Sequence, residues 1–277
     1  SVTIASSASN NTICAGTSVT FTATPVNGGS NPAYQWYVNN VAVGTNAATY
    51  TSTGLANGDV VTVVLTSDAT PCATGNPATS NAITMVVNNN LPVSVTIASD
   101  ASNNTICAGT SVTFTATPVN GGTTPAYQWY VNNVAVGTNA ATFTSTSLVN
   151  GDVVTVVLTS DATPCATGNP ATSNAITMVV NNNLPVSVTI ASNASNNTIC
   201  AGTSVTFTAT PVNGGSNPAY QWYVNNVAVG TNAATYTSTG LANGDVVKVV
   251  LTSDATPCAT DNPATSNTIT MAVNNNL

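Results

Sequence analysis

The chain has 277 residues, a formal net charge of −7 and a charged fraction of 3%, and it contains no His, Arg or Glu and a single Lys, Lys248. His, the usual side-chain base, is absent and so is Glu, and the many Ser and Thr have no obvious base to activate them. The chain therefore reads as no enzyme, with no cofactor and no metal. A surface with one Lys and no Arg cannot neutralise phosphates, which excludes nucleic acid, and no run of 18 apolar residues exists that could insert into a membrane.

The segment S-V-T-I-A-S starts at residues 1, 94 and 187, and the three copies are nearly identical along their length. A period of 93 residues is the size of a small domain rather than of a solenoid unit, so the chain reads as three tandem domains over 1–93, 94–186 and 187–277. In the first copy V-T-F-T-A-T (19–24) alternates apolar residues with Thr, then N-G-G (27–29) marks a turn. Y-Q-W-Y-V (34–38) sets Tyr34, Trp36 and Val38 on one face and Tyr37 on the other; N-N (39–40) turns the chain. After A-N-G-D (56–59), V-V-T-V-V-L-T (60–66) groups Val61, Val63 and Leu65. T-G-N-P (74–77) follows, and A-I-T-M-V-V (82–87) groups Ile83, Met85 and Val87. The copy closes on N-N-N-L-P-V (88–93), a short join that Pro92 stiffens. No segment carries a helical stripe. Roughly seven short strands per copy, separated by turns, describe an all-β chain of three β-sandwiches arranged end to end.

Differences between copies sort by strand parity. Thr62 is replaced by Lys248, Ala82 by Thr268 and Val86 by Ala272, and all three positions face away from the proposed core. The parity also assigns the aromatics. Trp36, Trp129 and Trp222 are expected as core pins, one per domain. Tyr37, Tyr130 and Tyr223 point outward, where they either stack on a sugar or a neighbouring chain or serve as partly covered surface tyrosines. Asp59 and Asp68 flank one strand at opposite ends and cannot share a calcium ion within a repeat. A junction site built from Asp59 and Asp161 is the alternative to simple turn capping.

The run A-G-T-S-V-T-F-T-A-T, then Y-Q-W-Y-V-N-N, then L-A-N-G-D-V-V-T-V-V-L-T-S resembles an immunoglobulin-like module. Trp36 stands where strand C of that fold carries its core Trp, and L-A-N-G-D looks like the E–F corner. More specifically, I-C-A-G-T-S-V-T-F-T-A-T-P-V-N-G-G through T-S-D-A-T-P-C-A-T-G-N-P-A-T-S-N-A-I-T-M is similar to the Ig-like (PKD-like) repeats of giant secreted surface and gliding adhesins of Bacteroidota. The resemblance covers essentially the whole chain three times. It implies an extracellular location and a stalk or adhesin role, and it transfers no catalytic residue.

Each repeat holds two cysteines, giving Cys14, Cys72, Cys107, Cys165, Cys200 and Cys258. An even count per repeat in an extracellular context points to disulfides. The expected pairing is within repeats, Cys14–Cys72, Cys107–Cys165 and Cys200–Cys258, each loop stabilising by roughly 4 kcal/mol. Against it, the two cysteines of a repeat fall toward opposite ends of an Ig-like domain, which leaves a bridge from one repeat to the next as the alternative.

The sequence therefore indicates a structural stalk or spacer segment of a large extracellular adhesin or surface fibre. A self-assembling filament subunit and a carbohydrate-binding surface module are the alternatives. The expected partners are the neighbouring repeats, with like chains in a fibre or surface polysaccharide beyond them.

Overall fold

A computed structural model of the chain describes residues 1–69, 71 and 73–275. Repeat 1 runs through β1 (Val2–Ser6), β2 (Thr12–Cys14), β3 (Val19–Pro25), β4 (Ala33–Val38), β5 (Val41–Val43), β6 (Thr49–Ser52), β7 (Val60–Thr66), β8 (Ala78–Thr79), β9 (Ile83–Thr84) and β10 (Val86–Asn88). One sheet has the order β1-β3-β6 and the other β5-β4-β7, with β8 and β9 both paired to β7. This is an immunoglobulin-like division, A-B-E facing C′-C-F-G, with no D strand among the described residues. Repeat 3 repeats it: Ser187–Ser192, Val205–Val212 and Thr235–Ser238 form one sheet, and Val227–Val229, Ala219–Val224 and Val246–Thr252 lead the other. The protein is thus all-β, built of tandem Ig-like β-sandwiches, with no α-helix among the described residues.

The chain divides into two compact units. The first holds all of repeat 1 with residues 116–141 and 155–174, and the second holds 98–115, 142–154 and all of repeat 3.

The strand alternation decides what is buried. In β3, Val19, Phe21 and Ala23 are buried while the intervening threonines face outward, and in β7 the buried set is Val61, Val63 and Leu65. Trp36 on β4 is fully buried and spans to the opposite sheet, with its ring centroid 6.4 Å from Phe21 on β3 and 5.9 Å from Tyr50 on β6. Its indole N–H donates to the Ala47 carbonyl at 2.9 Å, so burial leaves no orphan donor. Trp222 has the same contacts, 6.4 Å from Phe207 and 5.9 Å from Tyr236, and Trp129 is likewise fully buried. The β4–β5 hairpin turns on Asn39 and Asn40 at φ 52° and 65°, the left-handed pair that a type I′ turn requires.

The last strand expected over 82–87 is broken into pieces. Ile83–Thr84 pairs with β7, Met85 exchanges hydrogen bonds with Asp59 and Gly58 at the turn, and Val86–Asn88 then leaves to pair in parallel with β2. Just before it, the Asn81 side chain accepts from Ile4 N at 2.8 Å and donates to Ile4 O at 3.1 Å. The amide therefore stands in for a missing strand beside β1 and bridges the two sheets. Asn174 does the same for Ile97, and Asn267 for Ile190.

Two substitutions rank these contributions. Trp36→Ala should lower the stability of repeat 1 by about 3–5 kcal/mol through cavity formation. Asn81→Ala should cost about 1–3 kcal/mol by leaving two backbone groups of Ile4 unpaired. Urea titration followed by amide hydrogen exchange at β1, β3 and β4 measures both, and the repeat 3 amides should not move.

Candidate functional site

The chemistry-bearing groups of this chain are its cysteines, and the fold sends four of them, Cys14, Cys107, Cys165 and Cys258, to the joins between repeats. β10 pairs in parallel with β2, which places Asn88 opposite Cys14. Cys14 therefore stands beside the strand by which the chain leaves repeat 1. Three residues on, β11 (Leu91–Pro92) pairs in parallel with Ala166–Thr167 of repeat 2. The Leu91 N–H donates to the Cys165 carbonyl and the Val93 N–H to the Thr167 carbonyl, both at 2.8 Å. Pro92 lies between these two donors, where its lack of an N–H costs no ladder bond. The Asn120 side chain adds a hydrogen bond to the Pro92 carbonyl at 2.6 Å. The join read from the sequence as a stiff spacer is in fact an added strand of the next repeat.

This register brings Cys165 to Cys14, and the two form a disulfide with Cα atoms 5.5 Å apart. The second unit repeats the arrangement. Leu184–Pro185 pairs with Ala259–Thr260, Asn213 donates to Pro185 O at 2.7 Å, and Cys107 is bonded to Cys258 with Cα atoms 5.6 Å apart. The pairing within repeats is therefore corrected. Cys14 does not pair with Cys72, nor Cys107 with Cys165, nor Cys200 with Cys258. Repeat 3 gives the reason within a single sandwich: Cys200 ends the exit-side strand Thr198–Cys200 and is free and exposed, while Cys258, on the entry side, is buried and bonded to the preceding repeat. Cys72 lies outside the described residues. Spacing alone could not choose this pairing, because the repeat period makes the separations equal within repeats and across them alike.

Each bridge closes a loop whose chain-entropy effect is roughly 5 kcal/mol. Beside Cys14 the surface dips into a cavity of about 400 Å³ lined by Ala8, Ile13, Asn88 and Pro164 among others.

The other sequence-predicted residues fall elsewhere. Tyr37, Tyr130 and Tyr223 are half-buried on the outer face of the C′-C-F-G sheet. Tyr223 lies under the ammonium of Lys248, 5.7 Å from ring centroid to nitrogen and directly across the strand pair. None of the three tyrosines lines the cavity beside Cys14. Asp59 spends its carboxylate on the Ala56 N–H at 2.8 Å and the Asn39 amide at 2.7 Å, which is turn capping. Asp161 is held by the Thr124 hydroxyl and N–H and by the Thr123 hydroxyl, just before the strand Ala126–Val131 of the same repeat. No group of three or more His, Cys, Asp or Glu able to hold a metal occurs among the described residues. Among the described residues no helix is long and apolar enough to cross a membrane.

Sequence reasoning missed the asparagines that frame this site. Asn76 pairs both its amide groups with the Ser67 backbone at 2.9 Å, Asn57 accepts from Val87 N at 3.0 Å, and Asn90 donates to Ala15 O at 3.2 Å. Their high frequency was visible, but which backbone group each would reach depends on the tertiary fold.

No protein-family model matches the chain, and no curated protein matches it in sequence. Among solved structures it is similar to the three N-terminal domains of the bacteriophage RB49 highly immunogenic outer capsid protein Hoc, at 16% identity and a TM-score of 0.35, covering 98% of each chain. It is also similar to fibronectin(III)-like modules of Clostridium thermocellum CbhA, at 17% identity and a TM-score of 0.30, covering 65% of this chain and 93% of the other. The N-terminal four Ig domains of Dscam1 isoform 6.9 align at 11% identity and a TM-score of 0.29, covering 95% of this chain and 71% of the other. Likenesses at this level carry no argument about function, and the Ig-like assignment above rests on strand order and pairing.

Peptide mapping without reductant should recover Cys14 linked to Cys165 and Cys107 linked to Cys258; links spanning 58 residues would contradict the register of the joins. A second outcome concerns pH. Hydrogen bonds from Thr124 hold the Asp161 carboxyl below the ordinary Asp value. A depressed folded-state pKa contributes stability above the unfolded value and loses it as pH falls through the folded one. The carboxyl is fully exposed, so the effect is small. In an NMR titration Asp161 should therefore change charge below the usual Asp range, and Thr124→Ala should move its midpoint up.

Proposed function

We propose that the chain is a load-bearing spacer of an extracellular surface fibre or adhesin, in which Ig-like repeats are stitched in series by disulfides, and that it performs no catalysis. The observation that carries this reading is the overlap of the two bridges. Cys14–Cys165 and Cys107–Cys258 enclose overlapping stretches that together cover 14–258. Tension applied at the ends runs through residues 1–14, crosses to Cys165, returns along 107–165, crosses to Cys258 and leaves through 258–277. The rest of the chain is shielded, and the joins at 91–93 and 184–186 are clamped by covalent bonds beside their hydrogen-bonded strands. Such staples persist in oxidising surroundings outside the cytosol, which supports the extracellular placement.

The surface chemistry supports the same role. With 3% charged residues and one Lys, the exterior depends little on salt or pH and offers trypsin one cleavage site. The sequence resemblance to repeats of Bacteroidota surface adhesins points the same way and supplies the finer proposal, a stalk that extends an adhesive tip.

Single-molecule stretching tests the proposal. The oxidised chain should extend to about a third of the reduced chain's contour length, at ~3.5 Å per residue. Equal lengths would remove the load-bearing role. Retention on surface polysaccharide that is lost on replacing Tyr37, Tyr130 and Tyr223 by Ala would instead assign a carbohydrate-binding module.

A further inference from the structure

Asparagine amides fasten much of this chain, and the residue after each asparagine decides how long its amide lasts. The amide is lost when the backbone nitrogen of the next residue attacks the side-chain carbonyl carbon. Glycine in that place hinders the attack least, and proline has no N–H with which to make it. Asn76, Asn169 and Asn262, which hold the backbone of Ser67, Ser160 and Ser253, are each followed by Pro. Asn81, Asn174 and Asn267, which bridge the two sheets, are followed by Ala, Ala and Thr. Asn90 and Asn183, which donate to the carbonyls of Ala15 and Ala108, are followed by Leu. All of these are hindered or barred.

The Asn–Gly pairs are not, and they are used in two opposite senses. At Asn57, Asn150 and Asn243 the side-chain oxygen accepts from the N–H of Val87, Val180 and Val273, at 3.0, 3.1 and 3.1 Å. Conversion to Asp keeps that acceptor. Asn120 and Asn213 instead donate a side-chain N–H to the proline carbonyl of the docked join, Asn120 to Pro92 at 2.6 Å and Asn213 to Pro185 at 2.7 Å. An Asp in their place has no N–H to give and sets an ionised oxygen against the carbonyl oxygen that the amide held.

The turn geometry keeps this labile pair in place. Asn120 and Asn213 both lie at φ 53°, the left-handed region that Asn tolerates better than most residues with a side chain. A Cβ on Gly121 or Gly214 would come 3.1 Å from the Cβ of Pro118 or Pro211 and 3.5 Å from that of Pro125 or Pro218, so packing holds the next position to glycine. Gly121 and Gly214 are buried, and attack requires the asparagine side chain to leave the proline carbonyl. A docked join therefore protects the site and an opened join exposes it.

We propose that Asn120 and Asn213 are deamidation sites through which the joins loosen in one direction: a join that opens long enough loses its amide clasp, does not regain it, and is left to its disulfide. In the first step the Gly121 nitrogen bonds to Cγ of Asn120, the Cγ–Nδ2 bond breaks, and ammonia leaves carrying the proton from the Gly121 N–H. The product is a cyclic imide. Water then opens the ring at either carbonyl carbon, its hydroxyl going to that carbon and its proton to the ring nitrogen, and yields Asp or isoaspartate at 120. Water is the one co-reactant, and nothing is oxidised or reduced. Asn213 and Gly214 react in the same way.

The inference concerns the joins alone and stands whether or not the chain bears load. The test ages the purified, oxidised full chain in mildly alkaline buffer beside a portion whose bridges have been reduced, and follows every Asn–Gly pair by peptide mapping. Asp and isoaspartate are expected at 120 and 213, forming faster in the reduced portion, with Asn76, Asn169 and Asn262 unchanged. Single variants then read the consequence. Asn120→Asp should lower the hydrogen-exchange protection of the Leu91 and Val93 amides about tenfold with the Cys14–Cys165 bridge intact, and Asn213→Asp should do the same at Leu184 and Val186. Asn150→Asp, the same chemical change at an accepting amide, should leave the Val180 amide as protected as before. Three results would overturn the proposal: 120 and 213 staying asparagine in both portions, equal rates of conversion there with and without the bridges, or unchanged protection of the join amides in both Asn120→Asp and Asn213→Asp.

Discussion

Everything in this chain depends on how each small sandwich keeps its two sheets together. In antibody-type domains a disulfide between strands B and F does this, packed against a Trp on strand C. Here the Trp remains and the disulfide is gone from that place. Trp36 reaches from β4 across to Phe21 and Tyr50 on the facing sheet, and its one polar atom is satisfied by Ala47. Phe21 and Tyr50 stack at 6.1 Å and complete a three-ring cluster that occupies the middle of the core. With the sheets joined by packing and by the Asn81 bridge to Ile4, no cysteine is required inside the sandwich.

That release has a consequence at the joins. A cysteine placed beside the exit strand and another beside the entry groove cannot serve one repeat, but together they serve two. The linking peptide makes the assignment specific, because its Leu–Pro strand sets the register that brings one sulfur to the other. Strand pairing, not proximity along the chain, distinguishes the three identical T-P-C segments, because the bonded sulfurs are 151 residues apart and lie beside the docked joins. Near-identical neighbours invite strand exchange between domains during folding, and a bridge formed only after the join has docked locks in the correct arrangement.

The layers of this fold differ in how legible they are from sequence. Period-two alternation at Val19, Phe21 and Ala23, or at Val61, Val63 and Leu65, depends only on neighbours along one strand, and the inward and outward sides could be read directly. The substitution Thr62 to Lys248 falls on the outer side, where the added ammonium finds Tyr223 across the strand pair. Fragmentation of the last strand could not be read, because Met85 obeys the alternation and departs only through backbone bonds to a distant turn. The pairing of the cysteines was equally hidden. It depends on the direction in which β10 leaves, parallel to β2, and a parallel pairing of three residues has no signature of its own in composition or period.

Scarcity of charge ties these features together. A chain with eight acidic residues and one Lys cannot fasten its loops with ion pairs. Asparagine takes over, since a neutral amide both donates and accepts and can imitate a strand neighbour, as Asn76 does for Ser67 and Asn81 does for Ile4. Such bonds do not weaken with salt through screening, and they do not titrate. At the two joins shown, an exit-side cysteine and an entry-side cysteine form one covalent connector, placed by backbone pairing. The two joins share the same chemistry: a Leu–Pro strand paired beside the entry cysteine, an Asn amide on the Pro carbonyl, and one disulfide.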